Sequence, residues 1–269
     1  MTHRVLVTGS SGRIGREVVR ALRAGNWAVV GFDQTPPPAD PPDEFVRGDL
    51  TDSAALARAV AGAECVVHLA AAPDDVPLPE EITGGPPGED NFLPELVPAN
   101  LVGPVGLLKA AVRAGVRRVI LASSGQVIDG WLADATARVT ADTPAAPRYL
   151  YACTKVFLEA VGRVFAKKYG TEVLAVRLGW CPRAGQESAI RAYPLAPHVY
   201  LSGGDAGRFF AAAARAADWP RAADPKGGSF PYGVAYVTSL PPDGEEVYDL
   251  TVARRLGYEP RDRWPEGLQ

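Results

Sequence analysis

A tyrosine and a lysine four residues apart open an apolar-periodic run, Tyr151-Ala152-Cys153-Thr154-Lys155. On a helix this i,i+4 spacing sets the phenol and the ammonium on one face. A neighbouring ammonium favours phenolate over phenol and draws a tyrosine pKa down from its usual ~10, so Tyr151 is a candidate general base with Lys155 as its tuner. The pair alone is a weak signal, because both residue types are common on solvated helix faces.

A second feature supplies context. Thr8-Gly9-Ser10-Ser11-Gly12-Arg13-Ile14-Gly15 lies between a short apolar strand at 5–7 and a helix carrying Ile14, Val18, Val19 and Leu22 on one face. Glycines here permit a tight turn and close backbone approach to a pyrophosphate, and the helix N-terminus adds amide donors and partial positive charge. Gly9, Ser11, Gly12, Arg13, Ile14 and Gly15 are therefore the candidate phosphate cradle. Asp33 follows Gly15 by 18 residues, near the spacing at which an acidic residue accepts from an adenosine ribose. Gln34, Thr35 and three prolines come next instead of a cation, so the expected cofactor is NAD rather than NADP.

These residues need a scaffold, and the chain alternates strand and helix patterns. Strands are predicted at 5–7, 27–32, 44–47, 65–69, 118–122 and 172–178. Helices are predicted at 54–61, about 96–114 and about 150–169, with a further helix at 204–217 and a strand at 233–238. Such alternation implies βαβ units on a parallel sheet. The fold class read from this is α/β, a Rossmann-type doubly wound parallel sheet with a small C-terminal substrate lobe, in one domain over 1–269. Residues 1–178 form the NAD-binding core and 179–269 the lobe, with a strand returning to the sheet. Two stretches interrupt the rhythm. Residues 36–42 hold five prolines in seven, and 73–98 are rich in proline and glycine, so both are read as loops, the second as a lid or a surface insertion.

Composition bounds the rest. The chain has 269 residues, 47% hydrophobic and 22% charged, with a net charge of -3. That balance fits a globular protein with a sizeable core and offers no basic stripe for nucleic acid. Cys65, Cys153 and Cys181 show no CxxC spacing, so neither a metal site nor a disulfide framework is expected. No leader and no apolar run near the ~18 residues of a membrane span is apparent. A cytoplasmic protein without a membrane partner is the expectation.

Placed after the nucleotide turn, the YxxxK segment makes residues 4–182 resemble the extended short-chain dehydrogenase/reductase family, also called the NAD-dependent epimerase/dehydratase family. The likeness includes Gly48-Asp49-Leu50, similar to an adenine-contacting step, and His68-Leu69-Ala70-Ala71, similar to a nucleotide-facing turn. The resemblance implies hydride transfer to NAD. Ser124, at the end of the fifth strand, would hydrogen-bond the reacting oxygen, Tyr151 would take its proton, and Lys155 would hold the nicotinamide ribose. Asp49, Leu50, Leu69, Ala70, Ala71, Asn100 and Cys181 would line the cofactor, and pairing through the two long helices would give a homodimer. His68 is read as a structural histidine.

Within the family the whole chain looks most like uronate dehydrogenases. The Ala-Ser-Ser segment, Leu150-Tyr151 with Lys155, Arg177-Leu178-Gly179 and the Leu256-to-Pro260 run carry this likeness. Departures fall in the expected sugar pocket: Gly125-Gln126 follows the serine, and Trp180 stands where those enzymes have a serine. A small unphosphorylated uronate or aldose is the implied substrate class, with Gln126, Trp180 and Arg191 as binding candidates beside Ser124, and His198 as a further pocket residue; Arg183 lies in the same loop as Arg191 and is read as an exposed surface arginine. Dehydratase chemistry lacks a second acid/base. The alternatives are an NAD-dependent epimerase of sugars or nucleotide sugars, and a non-catalytic NAD-binding regulatory protein.

Overall fold

The computed structural model describes residues 3–37, 39–73, 90–132, 138–182, 186, 191 and 193–264. Strands β1 (Arg4–Thr8), β2 (Ala28–Asp33), β3 (Glu44–Arg47), β4 (Cys65–His68), β5 (Arg118–Ser124), β6 (Glu172–Leu178) and β9 (Tyr232–Val237) form a sheet in the order β3-β2-β1-β4-β5-β6-β9. Every pairing in it is parallel. The order reverses direction between β1 and β4, and the crevice outside the carboxyl ends of those strands is where such sheets bind ligands. The central strands are buried on both faces and read as continuous runs of Val, Leu, Ile and Ala.

Helices cover both sides. On one face α1 (Arg13–Ala24) and α6 (Gly203–Arg215) pack together, with Val18, Val19, Leu22, Phe209 and Phe210 on the side chains of β1, β4, β5 and β6. On the other lie α2 (Ser53–Ala59), α3 (Gly103–Arg113) and α4 (Leu150–Tyr169), through Leu56, Leu107, Leu108, Leu158 and Phe165. β9 joins the sheet beside β6, and α6 lies against α1. The C-terminal third thus completes the sheet as well as building a lobe. The lobe has its own apolar centre, where Val127 and Ile128 of the turn after β5 meet Leu195, Val199, Tyr236, Val247 and Tyr248. A short helix α5 (Ala196–Val199), the small hairpin β7 (Ala222–Ala223) with β8 (Ser229–Phe230), and α7 (Thr251–Arg255) finish the fold.

One segment departs from the loop expected for 73–98. Phe92–Val102 is helical with the wider π spacing and runs straight into α3. Pro94 and Pro98 lie inside it. Proline lacks the N–H that an α-helix needs and clashes with the carbonyl four residues back; the wider π turn is the form in which this backbone stays helical. Residues 74–89 of the expected lid lie outside the described residues. Phe92–Arg113 is together long and apolar enough to cross a membrane by length and composition, with a mean hydropathy of 1.2, a property the proline and glycine content conceals. Leu96, Asn100, Leu107, Leu108 and Ala111 on it are buried inside the protein.

Candidate active site

The glycine turn is built by sterics. Gly9 has φ of 70° and donates its N–H to Phe32 O at 2.8 Å. A Cβ there would come within 2.7 Å of Ala70 N, on the turn after β4, so side chains are excluded for both conformation and space. A Cβ on Gly15 would overlap Gly9 O, which lets α1 press directly onto the turn. At Gly12 the nearest atom is Gly9 O at 3.2 Å, leaving its outer side open.

Gly12 is also the N-cap of α1, and no side chain caps it, nor is any acidic residue in the first turn. Side chains cap two of the other helices, Asp52 accepting from Ala54 and Ala55 N–H at α2 and Ser202 from Asp205 N–H at α6, while α3, α4, α5 and α7 have no side-chain cap either. Uncapped amide donors beside an open glycine are what a pyrophosphate requires. The residues therefore fit NAD at this corner.

Asp33 closes β2 next to that turn. One oxygen accepts Ser11 N–H at 3.1 Å and the other Thr35 N–H at 3.2 Å, which fixes the carboxylate at the crevice edge with lone pairs remaining for ribose hydroxyls. Asp49 receives Thr51 N–H at 2.7 Å and Gln34 Nε2 at 2.6 Å. The Thr51 bonds hold its carboxyl below the usual carboxylate range, so Asp49 shapes the turn before α2, with Leu50 buried beside Gly103 of α3.

Across the crevice, Asn100 holds the turn containing Leu69, Ala70 and Ala71. Its amide accepts Ala72 N–H at 2.8 Å and donates to Ala72 O at 2.9 Å, and reaches Thr154 Oγ1 at 3.4 Å. Thr154 lies inside the YxxxK segment, so one buried asparagine joins the nucleotide-facing turn to α4. His68 is buried against Thr8 Oγ1 at 2.7 Å. Burial, then the nearby Lys155 charge, push its pKa down to about 3, leaving it neutral and structural. Arg13 bonds to Cys181 O and ties the glycine turn to the segment after β6. Burial pushes the Cys181 thiol up to about 12, so it stays protonated and unreactive.

Tyr151 and Lys155 occupy the first turns of α4, and the Lys155 Nζ lies 5.3 Å from the Tyr151 ring centroid. That amine is buried and donates to Ala122 O of β5 at 3.0 Å. Burial brings its pKa down to about 8. Ser124 ends β5, partly exposed, accepting Gln126 N–H at 3.2 Å. Ser123 points to the opposite side of the strand, as strand alternation demands. It is buried and donates to Glu159 Oε1 at 2.6 Å. Of the two adjacent serines, only Ser124 is open to the crevice side.

Among the substrate candidates, Gln126 lies next to Ser124, and Trp180 packs on the lobe's apolar centre. Trp180 stacks edge-on to Tyr193 at 5.8 Å, and its backbone is bridged to Tyr200. Arg191 is exposed, and Arg183 lies outside the described residues. His198 bonds to Glu245 O at 3.0 Å, which anchors the 243–245 loop. Sequence reasoning passed over Asp129, Tyr193 and Tyr248. They come from three distant segments and belong to no motif, so only packing brings them together, with Tyr248 against Gly125 next to Ser124.

A parallel sheet with a glycine-lined switch point and a Ser-Tyr-Lys trio at its mouth defines a dinucleotide-dependent protein of the short-chain dehydrogenase type. Residues 5–181 match the family model of the NAD dependent epimerase/dehydratase family, and the chain belongs to that family. It is 29% identical over 279 residues to the L-arabinose 1-dehydrogenase (NAD(P)(+)) of Haloferax volcanii, covering 96% of each chain. It is 33% identical over 180 residues to the uronate dehydrogenase of Agrobacterium fabrum, covering 66% of this chain and 61% of that protein. A mutant uronate dehydrogenase from Agrobacterium tumefaciens, solved in complex with NAD, superposes with a TM-score of 0.72 at 26% identity, over 97% of this chain and 85% of that one.

Proposed function

We propose that this protein is an NAD-dependent dehydrogenase that removes a hydride from a secondary or anomeric hydroxyl of a small sugar-like substrate. The observation that carries this is the buried Lys155, which lies beside the Tyr151 ring and donates to Ala122 O, two residues before Ser124 at the carboxyl end of β5, in a sheet whose glycine turn opens the uncapped start of α1. NAD bound there supplies the hydride acceptor. Ser124 donates a hydrogen bond to the reacting oxygen, and Tyr151 takes the hydroxyl proton as negative charge develops. The Lys155 ammonium stabilises that charge on the phenolic oxygen from one helical turn away and offers donors to a ribose. Asn100 and Thr154 keep α4 in register with the nucleotide-facing turn.

The substrate class is supported by the sugar dehydrogenases among the relatives, one of which aligns along nearly the whole chain. Replacing Tyr151 with Phe is expected to lower kcat at least about 1,000-fold, in the upper range for a positioned acid/base, while circular dichroism and NAD binding stay unchanged. NADH formation at the wild-type rate by that variant would remove the mechanism.

Pairing into a homodimer belongs to the same proposal. Leu150, Phe157 and Val164 are exposed at seven-residue intervals along α4, and Leu93 and Val102 are exposed on the adjoining helix. Two such helices from each subunit would form a four-helix contact. Sedimentation should report a dimer that Phe157→Glu dissociates. A monomer that binds phospholipid vesicles would assign the apolar face to a membrane instead. Function in a reducing cytoplasm is proposed on the free state of Cys65, Cys153 and Cys181.

A further inference from the structure

The segment Gly125–Trp131 leaves β5 directly after Ser124 as a 3-10 helix. In that geometry residues three apart eclipse one another, so Gln126 and Asp129 stand in one row that begins beside Ser124. The other side of the segment, Val127 and Ile128, is buried in the lobe's apolar centre. The row cannot turn over without exposing both.

What lines the row is rich in acceptors. Gln126 Oε1 is buried and has no hydrogen-bond partner among the described residues. A buried acceptor without a donor is costly unless something brings one. Asp129 is largely buried and raised to about 6 by that burial, with Arg148 pulling the other way. Its charge also reaches Tyr193 and Tyr248. Tyr193 meets Trp180 edge-on, closing the far end of the row. Tyr248 closes the near end: its hydroxyl fills the space where a side chain at position 125 would stand. The missing side chain of Gly125 and the presence of Tyr248 are thus one feature.

Among the described residues Arg148 is the cation whose charge acts on both Asp129 and Tyr193, and it lowers the Asp129 pKa less than burial raises it. Arg148 is exposed, with its guanidinium 6.0 Å from the Tyr149 ring centroid, and Arg191 is exposed as well. A sugar hydroxyl can donate to an amide oxygen or a carboxylate, whereas a uronate carboxylate only accepts. The wall satisfies the first ligand and repels the second.

We propose that Gln126 and Asp129 are the specificity-determining residues of the sugar site, and that they make it select a neutral aldose over the corresponding hexuronate. This rests on the dehydrogenase reading above and narrows it. The test uses the full-length protein, NAD, and two matched pairs differing only at C6: D-galactose with D-galacturonate, and D-glucose with D-glucuronate. In each pair the wild type is expected to favour the aldose in kcat/KM by at least about 10-fold, in line with recognition by hydrogen bonds. Asp129→Asn should narrow that ratio at least about five-fold, mainly through a lower KM for the uronate, since the charge acts on binding rather than on the chemical step. Gln126→Leu should raise KM for all four sugars with little change in kcat. Asp129→Glu keeps the charge and should keep the preference. A wild-type preference for the uronates would overturn the proposal whether or not the variants fold, as would an Asp129→Asn ratio equal to that of the wild type. If the wild type forms no NADH with any sugar, the dehydrogenase reading falls and takes this one with it. Turnover with an unmoved ratio removes only the role of the wall.

Discussion

Lys155 and Arg177 are equally buried, 5% and 4% exposed, yet the molecule surrounds them in opposite ways. Arg177, on β6, makes two 2.9 Å bonds to the oxygens of Glu159 and a third of 2.7 Å to the Tyr236 hydroxyl. Burial pulls its pKa down, but the bond and charge of Glu159 outweigh it and the net shift is upward. Lys155 has the carbonyl of Ala122 and, among the described residues, no carboxylate. Burial therefore acts on it unopposed and brings it to about 8. A neutralised charge fastens α4 to β6 and β9. An uncompensated one is left beside Tyr151, where the proposed mechanism uses it. The adjacent serines repeat the contrast, Ser123 serving Glu159 and Ser124 the crevice.

The largest effect that sharpens this contrast is expected from Lys155→Met. It should lower kcat/KM by about 100- to 10,000-fold without lowering the melting temperature at pH 7. Because the folded-state pKa of Lys155 is depressed from 10.5 to about 8, the unfolded chain holds more protons between those values. Wild-type stability should therefore rise relative to the variant across that window and lose the gain as pH falls through about 8. A gap that stays flat with pH in chemical denaturation would show that Lys155 is not desolvated as described.

Next in size is Glu159→Gln, which leaves Arg177 buried without its carboxylate. The unfolding free energy should fall by about 3–5 kcal/mol, while kcat per folded molecule holds. A fall in kcat with stability intact would mean that the ion pair belongs to the catalytic machinery after all. The smallest effect separates the serines. Ser123→Ala should cost about 1–3 kcal/mol of stability through the lost charge-assisted bond and leave kcat alone. Ser124→Ala should lower kcat and leave stability alone, and exchanged phenotypes would reverse the assignment of the two residues.

Much of the nucleotide corner was legible because its chemistry is backbone chemistry. Gly9, Gly12 and Gly15 announce a turn with positive φ and close packing, and Asp33 follows at the length of one strand-helix-strand unit. The YxxxK pair was legible because four residues make one helical turn. The π-helix at Phe92–Val102 was not, since prolines at 94 and 98 argue against any helix unless its spacing is wider than usual. Arg191, a binding candidate by resemblance to the family, is exposed in the fold.

Local patterns of glycine, alternation and helical spacing thus determined the class of fold, the cofactor and the candidate Tyr151-Lys155 pair, because each depends on residues a few positions apart, while Ser124 came from the family resemblance. The fold alone decided that Ser123 serves Glu159, which buried cation is neutralised, and that Asp129 joins Tyr193 and Tyr248. Those outcomes depend on contacts between segments tens of residues apart, and desolvation, which gives them their chemical force, exists only once the chain has closed around them.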